Sequence, residues 1–506
     1  MDRVALGGQI MPMARGASLN LAGAICTKVV LVAIIAVLSW QLGAASLGRY
    51  AQAYALLTVL VAVAGLPFSA GASRFVAMHL TNSDDGAVRG TARLAVGGTL
   101  VCSVLLAAPL FAFADVVAHH VFHDAGLVTP LRLVAVALPA AALTEAALVI
   151  TVGFRRMRAR AAIKLVLEPV LRLGLTTGLV LVGVGLNGAM VALVASSTVA
   201  ALLALRALRR HLRPLTGVPR YEPRALIAFS AVSGTAWLAT TGLVWADTLI
   251  LGALSSSADV GVYTVATKIV VLATFAMPAV TQAFSPRITD LYERGLDAEL
   301  RHAYYVVTGW NLVLSLPAFA LLLAFPAELL SLFGPGFSST TAVTVTMVLV
   351  VGQIVHVATG PGGMMLTMSG RPAWNLVDNS VTLALNVALN LVLIPLYGIL
   401  GAAVAWAVSL TVGNAARLVQ VWLLMRMGPF APAQLRTVLA TAVAGSTALV
   451  ATHPFSGAAR LVIGAATLGA TYALAIAVLH RRTEDRLVVR MLTNRTLAVL
   501  RPRGQA

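Results

Sequence analysis

GLNGAMVALVAS, residues Gly185–Ser196, and GILGAAVAWAVS, residues Gly398–Ser409, are one segment written twice. Six of the twelve positions coincide at an offset of 213 residues: both glycines, then Ala, Val, Ala and Ser. The same offset carries Gly48 and Tyr50 onto Gly261 and Tyr263, and Arg74 onto Arg287. Matches among Gly and Ala arise easily by chance. An offset shared with Tyr and Arg elsewhere in the chain does not, so the sequence reads as a tandem repeat.

Each copy is too apolar to live in water. Apolar residues make up 59% of the chain and charged residues 11%, where a soluble protein carries about 25% charged. One bilayer-crossing helix needs about 20 mostly apolar residues. Fourteen such runs follow one another, from 17–41 to 459–480, with 437–452 the weakest. All are expected to be helices, because lipid leaves the edge of a strand unsatisfied. The predicted fold is an all-α polytopic membrane protein of about fourteen transmembrane helices. No soluble domain of ordinary size fits between them. Each repeat then holds six spans, an even number, so both copies enter and leave on the same side. That makes them parallel repeats about an axis along the membrane normal. The expected organisation is an N-terminal six-helix lobe at 1–205, a basic linker at 206–224, a second lobe at 225–426, two additional spans within 437–480 and a basic tail at 481–506.

The formal charge of +18 would suggest nucleic acid in a soluble protein. In a polytopic one it follows the rule that Lys and Arg stay in cytoplasmic loops. Arginines crowd 155–160 and 206–224, and seven more lie after His480, while the opposite loops hold only Arg49, Arg132 and Arg460. Both termini are therefore expected in the cytoplasm. The first apolar run is longer than the roughly 7–15 residues of a signal-peptide core and reads as a permanent span. Cys26 and Cys102 lie inside apolar runs, and two cysteines leave no disulfide framework or Cys-based metal site. His119 and His123 have helical ligand spacing but lack an HExxH frame. None of the three lysines, Lys28, Lys164 and Lys268, follows a glycine as a Walker A motif requires. No nucleotide, metal or other cofactor is expected. Energy must come from an ion gradient, membrane potential or consumption of the product.

Five motifs carry a family resemblance: ADTLILGALSSSADVGVYTVATKIV (246–270), FSPRITDLYERG (284–295), LFGPGF (332–337), GPGGMMLTMSGRP (360–372) and NVALNLVLIPLYGILGAAVAWAVS (386–409). With them the chain resembles the multidrug, oligosaccharidyl-lipid and polysaccharide exporter superfamily, and within it the bacterial polysaccharide flippases of O-antigen type. The resemblance implies a two-lobed transporter, not an enzyme, in the bacterial cytoplasmic membrane. It would move a polyprenyl-pyrophosphate-linked saccharide from the inner to the outer leaflet by alternating access. Its partners would be that substrate, membrane lipids, and a polysaccharide polymerase or glycosyltransferases. The last two spans resemble the extra pair of lipid-handling members, where a groove holds a lipid tail. A cation-coupled drug exporter and a peptidoglycan-precursor flippase are the alternatives.

Ionisable groups inside a membrane are costly and are functional hypotheses by default. Lys28, Lys268 and Asp247 lie mid-span in helices that the resemblance puts at the central cavity, where cations suit an anionic pyrophosphate. The competing reading is a lysine that snorkels or pairs with a neighbouring helix. Asp247 is placed as the partner of one lysine before substrate enters. Arg74 and Arg287, equivalent in the repeat, are candidates for a phosphate at the inner mouth, against plain topology signalling. Glu145 and Asp378 have no local partner in sequence and are candidates for a coupling ion, or for bonds between helices. Glu168 and Arg172, four apart on one face, are expected to neutralise each other. Pro139, Pro278, Gly360, Pro361 and Gly362 are hinge candidates, because broken backbone at membrane depth is tolerated only inside protein or beside a cavity.

Overall fold

The computed structural model describes residues 3–479; the tail at 481–506 lies outside the described residues. Among these, every regular element is a helix. The longest, Arg3–Gly65, has 63 residues. Straight, it would be about 95 Å long, three times the roughly 30 Å of a bilayer core. It is two spans meeting at Gly43, whose φ of 74° and ψ of −179° leave helical geometry. Pro372–Met425, 54 residues, breaks in the same way at Gly398, with φ 56° and ψ −135°. A positive φ costs glycine nothing, so a single residue does the work of a loop at both places.

With these breaks the spans are as follows. α1 is 3–43 and α2 is 44–65, continued beyond a turn by Ser69–Thr81. α3 is Asp85–Ala112, α4 Val128–Gly153, α5 158–181 and α6 Gly185–Leu212. α7 is Pro223–Leu254 and α8 joins Ser257–Leu272 to Met277–Glu293; α9 is Asp297–Ala324 and α10 is Thr340–Met368. α11 and α12 are the two parts of Pro372–Met425; α13 is Pro432–Ala451 and α14 Gly457–Leu479. Ten described helices are long and apolar enough to cross a membrane, and α8 is an eleventh as a bent pair. The breaks at Gly43 and Gly398 divide two of the ten, and α5 brings the spans to fourteen.

The hinge candidates divide. Pro278 opens the second half of α8, which is bent 44° from the first. Gly360 (φ 68°), Pro361 and Gly362 interrupt α10. Pro139 lies inside α4, which runs unbroken from Val128 to Gly153, so no break attends it. A break that the sequence did not announce lies in α5, where Ala161–Leu167 forms a π-helix. Thr27 of α1 donates to the Leu165 carbonyl there at 2.7 Å, which seats α1 on the bulge.

The two lobes meet along a seam whose contacts reproduce the repeat. A Cβ placed on Gly48 would lie 1.7 Å from the Ser257 carbonyl oxygen, and one on Gly261 would lie 2.0 Å from the Ala44 carbonyl oxygen. Ser257 stands 213 residues after Ala44, as Gly261 does after Gly48. Each contact is thus the image of the other, the reciprocity that a twofold axis imposes, and the axis passes between α2 and α8 at this point. A Ser256–Asp259 capping box starts α8 and sets this register. The seam is sealed here, at the end of the bundle far from the linker. Trp40 adds a bond from its indole N–H to the Leu332 carbonyl at 2.7 Å. Asp124 accepts from Arg49 at 2.7 Å and from Ser257 at 2.6 Å. Burial of Asp124 works against its charged form, yet hydrogen bonds from Arg49, Ser257 and the Gly126 amide outweigh it and hold the carboxyl below its ordinary value. At the linker end, Ser230 of α7 accepts from the Gly71 amide at 2.9 Å.

Candidate functional site at the lobe seam

A chain of polar and aromatic side chains crosses the seam between the lobes. It begins on α5, where residues four apart share a face. Lys164 bonds Glu168 at 3.1 Å and Arg172 bonds the other oxygen of Glu168 at 2.5 Å. The Arg172 guanidinium lies 5.1 Å over the ring of Tyr54 on α2. Tyr54 meets Trp245 of α7 edge-on at 5.5 Å, and Lys268 of α8 sits 4.4 Å above Trp245. Tyr50 stacks one turn along α2 from Tyr54, at 6.2 Å. Contacts of this kind hold a cation without neutralising it.

Charge decides what the cluster can accept. Glu168 is the one acid bonded to Lys164 and Arg172, with Glu145 near enough to act on Lys164, and no carboxylate lies against Lys268 among the described residues. Lys28 is half-buried and makes no hydrogen bond or ion pair with any described residue. Its neighbour Thr27 is the residue bonded to the π bulge that carries Lys164. Buried charges are normally paired, so the region carries uncompensated positive charge suited to a multiply charged anion.

Glu145 and Asp378 make bonds between helices, one of the two readings the sequence offered, whereas Asp247 does not meet a lysine as expected. Glu145 is not alone; Arg160 bonds it at 3.0 Å. Nor is Asp378, which accepts from Gln420 at 2.6 Å with Arg417 at 3.9 Å. Their partners lie 15 to 42 residues away, beyond any local pattern. Asp247 touches neither lysine. It is buried and accepts from the Tyr263 hydroxyl at 3.1 Å and the Asn390 amide at 2.7 Å, with Asn386 beside Asn390. It is held by neutral donors only. Asp378, Thr382, Asn386 and Asn390, spaced by four on α11, make one polar stripe, and several of its atoms, including Asn386 Nδ2 and Asn390 Oδ1, have no partner. Glu168 and Arg172 do neutralise each other, as expected.

Arg74 and Arg287 do not behave as a pair. Arg74 crosses the seam to lie 4.3 Å over Phe229 of α7, whereas Arg287 bonds Asp290 on its own helix at 3.0 Å. The residues that sequence reasoning missed are Tyr54 and Trp245, which join the lobes' cations. The i, i+4 pair Tyr50–Tyr54 was the available signal, but aromatics in apolar helices are common core residues.

Comparison with known proteins fits this geometry. A family model described as "Polysaccharide biosynthesis protein" matches residues 13–292, and one described as "MatE" matches 235–392. "Probable flippase AglR" of Haloferax volcanii is 31% identical over 178 residues, 34% of this chain and 36% of that one. "Probable low-salt glycan biosynthesis flippase Agl15" of the same organism is 26% identical over 196 residues, 38% of this chain and 40% of that one. The matched segments thus span well under half of each relative. Among solved structures, "Lipid II flippase MurJ, inward closed conformation" superposes with a TM-score of 0.74 over 92% of this chain and 99% of that one, at 10% identity. An inward-facing multidrug resistance MATE family transporter superposes at 0.66 over 81% and 98%, at 17% identity. Identities this low speak for the fold alone, a two-lobed helical transporter. The polysaccharide biosynthesis model covers more than half of the residues, and the chain belongs to that family, within the multidrug, oligosaccharidyl-lipid and polysaccharide exporter superfamily.

Proposed function

We propose that the protein flips a polyprenyl-pyrophosphate-linked saccharide across the cytoplasmic membrane by alternating access between its lobes. The observation that carries this reading is the unpaired Lys268 at the seam, with the unpaired Lys28 next to the residue that binds the α5 bulge, in a member of a family whose matched relatives are named flippases. A pyrophosphate is the anion such a site suits, and charge-assisted bonds to phosphate are the strong ones. The lobes are taken as 1–205 and 225–426, with the arginine distribution putting the linker and both termini in the cytoplasm. The matched relatives are archaeal, which removes the ground for restricting the membrane to bacteria. The product would serve glycosyltransferases or a polymerase acting beyond the membrane.

A cation-coupled drug exporter calls for an acid-dominated cavity, and here Glu145 and Glu168 are already matched by Arg or Lys. Coupling is assigned instead to Asp247, the buried acid held only by neutral donors, rather than to Glu145 or Asp378. Arg74 and Arg287 are left as topology determinants, since their side chains are engaged with Phe229 and Asp290.

The test is a flipping assay in proteoliposomes with a polyprenyl-pyrophosphate oligosaccharide, run beside a peptidoglycan precursor. Lys28→Gln and Lys268→Gln should each slow flipping about tenfold or more at unchanged membrane level, and the Arg variants should retain more. Normal rates in both Gln variants refute the reading.

A further inference from the structure

Away from the seam, the outward face of α5 and α6 carries a shallow groove of about 760 Å³, walled by Ala162, Val166, Leu167, Val170 and Leu171 of α5 and Val199 of α6. The π-helix over Ala161–Leu167 forms much of one wall. A π turn is wider than an α turn and often marks a functional position. The wall is wholly apolar, and Val166, Leu167, Val170 and Val199 are all well exposed. Followed toward the linker end, each wall finishes in an arginine. On α5 the positions 170, 166 and 162 lead to Arg158; on α6 Val199 and the exposed Leu202 lead to Arg206. The turn bearing Arg158 touches α6. Four residues separate Ala162 from Arg158 and seven separate Val199 from Arg206, so both guanidinium groups lie within about two helical turns of the groove. Both arginines are exposed and make no hydrogen bond or ion pair with any described residue. Arg160, two residues after Arg158, is spent on Glu145.

We propose that this groove is a binding site for an anionic phospholipid of the surrounding leaflet, with an acyl chain along Val166 and Val170 and the phosphate between Arg158 and Arg206. The charge complementarity chooses the occupant. An apolar trough followed along both helices by two free cations matches one molecule that is apolar at one end and anionic at the other. A zwitterionic lipid presents the same chain but no net charge. The transport substrate is assigned to the seam, on the opposite side of α5, so this site stands or falls independently of the transport reading.

The experiment is native mass spectrometry of the full chain released from nanodiscs of phosphatidylcholine mixed with phosphatidylglycerol. Phosphatidylglycerol should be retained in preference to phosphatidylcholine. The double variant Arg158→Gln/Arg206→Gln should lower its retention about tenfold. The control Arg224→Gln/Arg436→Gln removes the same charge from exposed sites elsewhere and should leave retention unchanged. Val166→Trp, which fills the trough at constant charge, should lower it as well. The proposal is overturned if the two double variants lose lipid equally, if Val166→Trp retains it fully, if phosphatidylcholine is held as well, or if polyprenyl phosphate displaces the bound lipid.

Discussion

The polar interiors of the two lobes are built in opposite ways. The N-terminal lobe uses full charges that answer one another: Lys164 and Arg172 on Glu168, and Arg160 on Glu145. The C-terminal lobe uses amides and hydroxyls: Asn386, Asn390 and Tyr263 around Asp247, with His356 bonded to Asn414 at 3.1 Å. Even its ion pair is loose, with Arg417 and Asp378 3.9 Å apart. Two copies of one ancestral unit have thus diverged in chemistry while keeping the seam between them. A tight ion pair in low dielectric has one stable arrangement, because breaking it strands a charge. A carboxylate among neutral donors can change its protonation or ion occupancy with little rearrangement. The comparison gives fixed ion pairs to one half, and to the other a buried acid among neutral donors beside the unpaired Lys268.

The sharpest test sets Glu168→Gln against Asp247→Asn. Removing Glu168 leaves Lys164 and Arg172 facing each other without their acid, a loss of about 3–5 kcal/mol for a buried pair, read as a lower melting temperature in detergent. Asp247→Asn keeps the shape and removes only the charge, so melting should change little while flipping loses its response to an imposed ion gradient. Equal destabilisation by the two variants breaks the comparison.

The next effect concerns the seam that both lobes share. Gly48→Ala and Gly261→Ala each drive a methyl into a backbone carbonyl of the opposite lobe, and backbone cannot rotate away as a side chain can. Both should open the far end, raising labelling of a cysteine placed at the exposed Ser256 by a membrane-impermeant thiol reagent. Reciprocity demands increases of similar size. A large effect from one glycine and none from the other would remove the twofold axis from between α2 and α8.

The smallest expected effect is at Asp124. Its folded-state carboxyl titrates below the ordinary Asp value of about 3.9. The stability it contributes is therefore present above that value and lost only as pH falls through the depressed one. Lowering the pH from 8 to 6 should leave labelling at Ser256 unchanged once corrected for the smaller thiolate fraction, measured on a free cysteine in solution. Asp124→Asn, which cancels the ion pair with the half-buried Arg49, should raise it modestly at any pH, in keeping with about 1 kcal/mol for such a pair. A pH response between 6 and 8 in the unaltered protein would assign the latch to another group.

Much of the architecture was legible in the chain. Ten described helices and the bent α8 are long and apolar enough to span, the glycine breaks and α5 divide them as the fourteen apolar runs do, and the helices are interrupted at Gly360–Gly362 and before Pro278. The hairpin glycines Gly43 and Gly398 and the π-helix at Ala161–Leu167 were not singled out. Gly is frequent in membrane helices, and an inserted residue in a helix leaves no compositional mark. At the site, the pair Glu168–Arg172 was readable because its partners are four residues apart on one helix. Glu145 with Arg160, Asp378 with Gln420 and Asp247 with Asn390 were not, because each pairs across different helices.

What the sequence determined by itself is therefore what the bilayer enforces locally: apolar helices, and a repeat whose offset survives in Gly48 and Gly261. Only the tertiary structure decided which buried charges are answered and which stand free. Membrane helices are all apolar outside, so their rotation and neighbours are set by close packing at positions such as Gly48 against Ser257. Those contacts, made between residues far apart in the chain, choose the partner that each charge receives.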